Sequence, residues 1–250
     1  MHFRQLFEPD SSTFTYLLAC PDTGVTALID PVLETVDRDL EVLQSMGLTL
    51  DFAVETHIHA DHITGAQRLK QATGCQIAGP ALDEIPCRDV GLREGEPFKL
   101  GSIILNPLFT PGHTDTHHAY LLDHHGLKLL FSGDALLIES CGRTDFQSGD
   151  AHVLYHSIQD KFFSLPDETL VYPAHDYEER RITTIGQEKL RNPRLGKGRS
   201  EAEFVKIMHD MDLPYPRKID FAVPGNEQCG ACPDNVPEEM RGLCEASRQG

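Results

Sequence analysis

Seven consecutive residues, Thr56-His57-Ile58-His59-Ala60-Asp61-His62, put three imidazoles and a carboxylate on one short stretch. Imidazole and carboxylate are the ligand chemistry of zinc, iron and related metals, so this density reads as a metal-binding loop. Three later stretches carry the same donor types: Pro111-Gly112-His113-Thr114, Ser132-Gly133-Asp134 and Pro173-Ala174-His175-Asp176-Tyr177. A lone histidine is ordinarily a surface or core residue. Four stretches that all deliver such ligands imply a shared site.

Each stretch follows an apolar run suited to a buried strand. The runs are Phe52-Ala53-Val54, Ile103-Ile104-Leu105 with Leu108-Phe109, Leu127 to Phe131, and Thr169 to Tyr172. After the first loop, Ile63 to Leu69 reads as the opening turns of a helix, and strand-to-helix junctions are where open α/β sheets present their chemistry. Further helices follow from apolar stripes. Val36, Leu40, Leu43 and Met46 are stopped by Gly47, and Leu154, Ile158 and Phe162 precede Pro166. Ser200 with Glu203 forms a capping box for a helix through Met211, which Pro214 and Pro216 end. His117, His118, His124 and His125 are expected in hairpin and strand-face positions, and His152, His156 and His209 on helices, none of them ligands.

The loop resembles that of the metallo-β-lactamase superfamily, His-x-His-x-Asp-His, and the later donors arrive in that family's order: a Gly-His, a Gly-Asp and a late His. The resemblance implies an α/β fold, the four-layer αββα sandwich, with the metal site at one edge of the two sheets. In the family pattern His57, His59 and His113 form one site, Asp61, His62 and His175 the other, and Asp134 bridges them. Within the superfamily, Gly133-Asp134-Ala135-Leu136-Leu137-Ile138 running into Cys141-Gly142-Arg143-Thr144-Asp145-Phe146-Gln147, and the run from Tyr172 to Tyr177, resemble the persulfide (sulfur) dioxygenases. Leu190 to Leu195, Glu203 to Met208 and Ile219 to Pro224 agree, so the resemblance spans residues 2 to 226.

That resemblance implies an oxidoreductase with one Fe(II) per chain, bound by His57, His113 and Asp134 and surrounded by His59, Asp61, His62 and His175. Its reaction oxidises glutathione persulfide with O2 and water to sulfite and glutathione, a step of hydrogen sulfide oxidation. Two imidazoles and one carboxylate leave iron positions open for O2 and a soft sulfur donor. Arg143 offers a planar fork to a glutathione carboxylate or to developing sulfite charge, with a surface ion pair to Asp145 or Glu139 as the plainer role. Tyr177 and Thr114 are candidate substrate contacts. Cys141 is a candidate modulatory thiol or a small buried hydrophobe. Asp61 or Asp176 is expected to accept a ligand imidazole's second N–H.

The same seven donors equally suit two zinc ions flanking a water that attacks a thioester. That is the glyoxalase II reading, a hydroxyacylglutathione hydrolase. The contexts of Asp134 and His175 favour the dioxygenases, and the C-terminal part lacks the hydrolases' long helical glutathione-binding domain. A third reading, a non-catalytic thiol- or partner-binding module, conflicts with seven filled donor positions.

Composition fits a globular enzyme: 40% apolar and 24% charged residues in 250. A net charge of -17 makes nucleic acid and anionic membranes poor partners. No apolar run reaches the ~18 residues of a membrane span, and no signal-like segment opens the chain, so a cytoplasmic protein is expected. A homodimer is the base-rate assembly. Seven cysteines, an odd number, fit a reducing compartment. Cys20, Cys75 and Cys87 are expected as packing residues. A catalytic domain is expected over 1–226, followed by a partly ordered tail, 227–250, carrying Cys229, Cys232 and Cys244. For those thiols a metal-free tail, a redox or persulfide-carrying dithiol, and a zinc site are the alternatives.

Overall fold

The computed structural model describes residues 1–178 and 180–248. In chain order the strands are β1 His2–Glu8, β2 Thr13–Ala19, β3 Thr26–Ile29, β4 Phe52–Val54, β5 Gln76–Pro80, β6 Val90–Leu92, β7 Phe98–Leu100, β8 Ile103–Phe109, β9 His118–His124, β10 Leu127–Gly133, β11 Leu170–Pro173 and β12 Thr183–Thr184. The α-helices are α1 Val36–Ser45, α2 Ala66–Thr73, α3 Ala151–His156, α4 Ile185–Arg191, α5 Glu201–His209, α6 Ile219–Asn226 and α7 Glu238–Arg248. The chain divides into two compact units: Met1–Leu92 with Leu100–Ile103 and Tyr215–Gly250, and Arg93–Lys99 with Ile104–Pro214.

The first unit is built on a six-stranded sheet in the order β1-β2-β3-β4-β5-β6. β1, β2 and β3 are antiparallel neighbours, whereas β3 to β6 run parallel. Every residue of β2 is buried, as for a central strand covered on both faces. Leu17, Leu28, Ala53 and Ile77 from the sheet pack with Val36 and Leu43 of α1 and Ala66 and Leu69 of α2. The α1 stripe therefore faces the core as expected, and Gly47 follows the helix at a φ of +67°.

The second unit carries a six-stranded sheet in the order β12-β11-β10-β9-β8-β7. β8, β9 and β10 are antiparallel neighbours, and β11 pairs with β10 in parallel. A parallel pair needs a crossover. Here it is α3, which continues into a π-helical stretch Ser157–Phe162. Leu154, Ile158 and Phe162 stay on one face through that change of pitch and pack with Leu130, Val171 and Phe204. The Ser200–Glu203 capping box is present, and α5 ends at His209, short of the expected Met211. His124 and His125 lie at the β9–β10 turn, and His152, His156 and His209 lie on α3 and α5.

The C-terminal segment, expected as a partly ordered tail, contains α7 and buried side chains. Val236, Met240 and Cys244 recur every four residues, and they are buried with Leu33, Ile63, Phe221 and Ala222 of the first unit. The cysteine expectation is also corrected. Cys87 is not a packing thiol but is joined to Cys229 by a disulfide, and Cys232 is joined to Cys244. Cys229 and Cys232 thus point to different partners, because a turn with Cys229 at a φ of +56° separates them. In this structure Cys229 and Cys232 are therefore each spent on a separate disulfide. Cys20, Cys75 and Cys141 are buried free thiols. Among the described residues no helix is long and apolar enough to cross a membrane.

Candidate metal centre

The parallel register Leu28↔Ala53 and Ile29↔Val54 sets the C-terminal ends of β3 and β4 side by side. Asp30 therefore meets the start of the metal-binding loop. Its Oδ1 accepts the Thr56 backbone N–H at 2.8 Å and its Oδ2 accepts the Thr56 hydroxyl at 2.9 Å. Because that hydroxyl is spent on Asp30, Thr56 Oγ1 acts as acceptor toward His57 Nδ1, 2.9 Å away. This fixes the tautomer with the proton on Nδ1 and leaves His57 Nε2 as the nitrogen able to ligate a metal. Asp30 Oδ1 also accepts from His59 Nε2 at 3.3 Å.

His59 is then turned so that its Nδ1 is buried with no hydrogen-bond partner among the described residues. A buried imidazole nitrogen without a partner costs free energy unless something else fills its lone pair. Asp61 Oδ2 lies 2.9 Å from His62 Nδ1, and ligand atoms of His59, Asp61 and His62 all lie within 4.8 Å of one another. Burial alone would push the His59 imidazole down, but the Asp30 and Glu55 carboxylates outweigh it and raise His59 to about 10, so without a metal ion a proton takes the Nδ1 lone pair and a bound metal must displace it. Burial pushes the Glu55 carboxyl up. So many acidic oxygens around buried imidazoles form a cradle that a divalent cation neutralises, and the donor set fits a metal.

In the second unit β8, β10 and β11 end at the other three donor stretches. His113 donates from Nδ1 to the Arg143 carbonyl at 2.8 Å, which turns its Nε2 to within 3.5 Å of Asp134 Oδ2. His175 donates from Nδ1 to Asp134 Oδ1 at 2.6 Å. The β10–β11 register, with Ala174 N–H bonded to the Gly133 carbonyl at 3.0 Å, brings those two strand ends together. Gly142 is required here: a Cβ would lie 2.4 Å from the Asp134 carbonyl oxygen and 2.7 Å from His113 Nδ1. Gly112, at a φ of +128°, lets the chain pass the Leu154 backbone and aim His113.

The expected substrate contacts fall in varied surroundings. Thr114 is buried, and its hydroxyl has no partner among the described residues. Tyr177 is 75% exposed and stacks on His175 with ring centroids 6.2 Å apart. Arg143 makes a fork-to-fork pair with Asp145, both contacts at 2.6 Å, and donates to the Pro214 carbonyl, so the plainer ion-pair role is present. It also lines a cavity of about 520 Å³ with His152, Met208 and His209. Cys141 is buried against Met208 and Arg194, and burial pushes its thiol up, so the neutral form packs as a small hydrophobe.

The orienting carboxylates differ from expectation in part. Asp61 does face an imidazole, that of His62, but Asp176 is taken up by Arg180 Nε and Nη2 and by the backbone N–H groups of Glu178 and Arg180. Four residues were missed from sequence. Asp30 holds the loop; its signal was an acid before Pro31 at a strand end. His117 accepts the Asp134 N–H at Nε2, 3.1 Å, and its Nδ1 donates to Thr110 at 2.9 Å, so it positions Asp134. Arg180 anchors Asp176, and Asn226 bonds the loop backbone. Asn226 gave no local signal, because its partners are backbone atoms 164 and 167 residues away; Arg180 stands four residues after Asp176, an ion-pair spacing the sequence did show.

Residues 9–175 match the Metallo-beta-lactamase superfamily, and the chain belongs to that superfamily. Its α/β fold is the metallo-β-lactamase fold, as expected. Within the superfamily the chain belongs with the persulfide dioxygenases. It is 47% identical over 228 residues to the Homo sapiens protein named persulfide dioxygenase ETHE1, mitochondrial, a match covering 91% of this chain and 88% of that one. The crystal structure of ETHE1 from Myxococcus xanthus aligns with a TM-score of 0.87 at 48% identity, over 92% of this chain and 100% of that chain. A hydroxyacylglutathione hydrolase from Methylococcus capsulatus is 39% identical over 168 residues, 66% of this chain and 63% of that protein.

Proposed function

We propose that the protein is a mononuclear Fe(II) persulfide dioxygenase, converting glutathione persulfide, O2 and water to glutathione and sulfite within sulfide detoxification. The observation that carries this is the reach of the likeness: persulfide dioxygenase similarity extends over 91% of the chain, against 66% for the hydrolase. The iron is assigned to His57, His113 and Asp134, with His59, Asp61, His62 and His175 around it. Bound Fe(II) would supply O2 activation and a coordination position for the persulfide sulfur.

The chain's own residues fix where that chemistry happens. Asp30, through Thr56, keeps the His57 proton on Nδ1, and the Arg143 carbonyl does the same for His113, so both Nε2 atoms are presented as lone pairs. His117 holds the backbone of Asp134, while His175 orients its second oxygen. Tyr177 and Thr114 are assigned to the substrate. Arg143 is assigned to a glutathione carboxylate; three of its five N–H donors are used by Asp145 and Pro214, which leaves two for a ligand. A local cation matters in a chain of net charge -17 that must bind an anionic peptide. Cys141 is assigned to packing.

The reading places the protein in the cytoplasm as a soluble enzyme, monomer or homodimer, with neither nucleic acid nor membrane as partner. Metal analysis of protein purified without added metal, paired with persulfide and thioester assays, tests the function. About one iron per chain and sulfite release support it. Two zinc per chain with thioester cleavage would replace it by the hydrolase.

A further inference from the structure

Residues 226–229 tie the metal-binding loop to the rest of the first unit. Asn226 is 4% exposed and uses its whole amide on that loop. Its Oδ1 accepts the Thr64 N–H at 2.8 Å, and its Nδ2 donates to the His59 carbonyl at 2.8 Å and the His62 carbonyl at 2.9 Å. These three bonds fix the loop backbone on both sides of Asp61. Three residues on, the Cys229 carbonyl accepts the Gln67 N–H at 3.0 Å, fastening the first turn of α2. Asn226 and Cys229 belong to one turn, closed by Cys229 N–H to the Asn226 carbonyl and Gly230 N–H to the Gly225 carbonyl. That turn is covalently held to the segment between β5 and β6 by the Cys87–Cys229 disulfide, across a sequence separation of 142. The Cys87 segment is anchored in turn by Arg88, which donates to the carbonyls of Pro80 and Ala81.

We propose that residues 226–229 are a thiol-releasable latch on the metal centre, in which Asn226 is a positioning residue for the His59–His62 loop and the Cys87–Cys229 disulfide keeps Asn226 in place. The inference rests on the assignment of that loop to the metal. Cys87 is half-buried while Cys229 is buried, so Cys87 is the sulfur a small thiol reaches. The thiolate of a low-molecular-weight thiol attacks Cys87 Sγ, forming a mixed disulfide and expelling the Cys229 thiolate, which takes up a proton. A second thiol attacks the mixed disulfide, releasing the oxidised small-molecule disulfide and the Cys87 thiol. Two thiols are oxidised and one protein disulfide is reduced.

Disulfides in a reducing compartment are usually transient or sensing rather than structural, and the proposed reaction itself releases a thiol. Release of the latch leaves Asn226 held by its hydrogen bonds and by the packing of α6 through Phe221 and Ala222 on Leu33 and Ile63. The Cys232–Cys244 disulfide separately fastens α7 against the core, so the effect is local to the turn and the loop.

The test uses the full chain loaded with Co(II), whose visible spectrum reports ligand geometry. Metal loss to a chelator and amide exchange at residues 57–66 are followed in the oxidised protein, after mild thiol reduction, and in the Cys87→Ser/Cys229→Ser variant. Reduction and the double variant are each expected to speed metal loss by about tenfold, the scale of losing outer support to a ligand, and to raise amide exchange across 59–66. Thiol should do nothing further to the double variant's loop, while Cys232→Ser/Cys244→Ser should leave metal loss unchanged. Asn226→Asp keeps the side chain's shape but faces an oxygen toward two carbonyls, so it should alter the Co(II) spectrum as much as Asn226→Ala. Equal metal loss and loop exchange in oxidised, reduced and doubly substituted protein would overturn the latch, as would free thiols at Cys87 and Cys229 in air-oxidised protein. Exchange is also read on metal-free protein, so failure of the dioxygenase assay and failure of the latch are separate results.

Discussion

Replacing Asp30 with alanine takes away the one side chain that accepts from the Thr56 backbone, the Thr56 hydroxyl and His59 Nε2. Thr56 is fully buried, so water does not replace the lost acceptor at its N–H. An unsatisfied buried donor costs about 1–3 kcal/mol, and with partial relief from rotating the hydroxyl the loss in stability is about 2–4 kcal/mol. Function suffers separately. With the Thr56 hydroxyl free to turn, the His57 proton is no longer held on Nδ1, and removal of such support typically costs 10–100-fold in metal affinity, about 1.4–2.7 kcal/mol. Asp30→Asn is the informative companion. Asparagine tolerates the φ of +51° at this position, keeps one acceptor oxygen, and offers an NH2 that the Thr56 hydroxyl oxygen can accept. It should therefore lie between wild type and alanine in both properties. Chelator competition on the metal-loaded protein and urea unfolding of the metal-free protein measure the two effects. Metal affinity in Asp30→Ala within about twofold of wild type would refute the relay from Asp30 through Thr56 to His57.

Three further perturbations follow from the geometry. Gly142→Ala pushes a methyl to within 2.4 Å of the Asp134 carbonyl oxygen, so about 1–3 kcal/mol of stability and most of the bound metal should be lost together; native metal content in the variant would contradict the close approach. Arg143→Ala is expected to raise KM for glutathione persulfide about tenfold or more while metal content stays at the wild-type level, and unchanged steady-state kinetics would leave Arg143 only its ion pair with Asp145. Asp39 is fully buried in α1, and burial outweighs the Arg38 guanidinium, so its carboxyl is pushed up to about 6. The folded state thus holds the proton more tightly than the unfolded chain, and this group's contribution to stability falls as pH rises from about 4 to about 6. Between those limits the stability of Asp39→Asn should gain about 2–3 kcal/mol relative to wild type in urea titrations, and a pH-independent difference would contradict the shift.

The seven histidines and aspartates of the candidate metal centre were legible because they stand at fixed spacing after apolar strands, and both signals are local. The α1 stripe and the Ser200–Glu203 box were legible for the same reason, and the structure carries both. What sets the donors' tautomers was not. Asp30 reaches Thr56 only because β3 and β4 pair in parallel register, and Asn226 reaches His59 across 167 residues. Such partners leave no periodic trace. The cysteines misled differently: an odd count argued for free thiols, yet the Cys87–Cys229 bond depends on a turn and a loop meeting in space. The helix in the tail was not legible, because only Met240 and Cys244 carry its buried spacing and the surrounding Pro, Gly and Glu outweigh it. Arg143 shows the reverse limit. Its residue type suits a carboxylate, and sequence alone could not choose between a ligand's carboxylate and that of Asp145, which it meets in the folded chain.

The central claim is that this metal centre runs a dioxygenase reaction on a persulfide, and oxygen consumption tests it most directly. Anaerobically iron-loaded protein is given glutathione persulfide in an oxygen-electrode cell, sulfite is assayed in the same vessel, and zinc-loaded protein serves as the control. Iron-dependent uptake with one sulfite formed per O2 consumed is the predicted result. Iron-replete protein that consumes no O2, while the zinc form cleaves hydroxyacylglutathione thioesters, would contradict it.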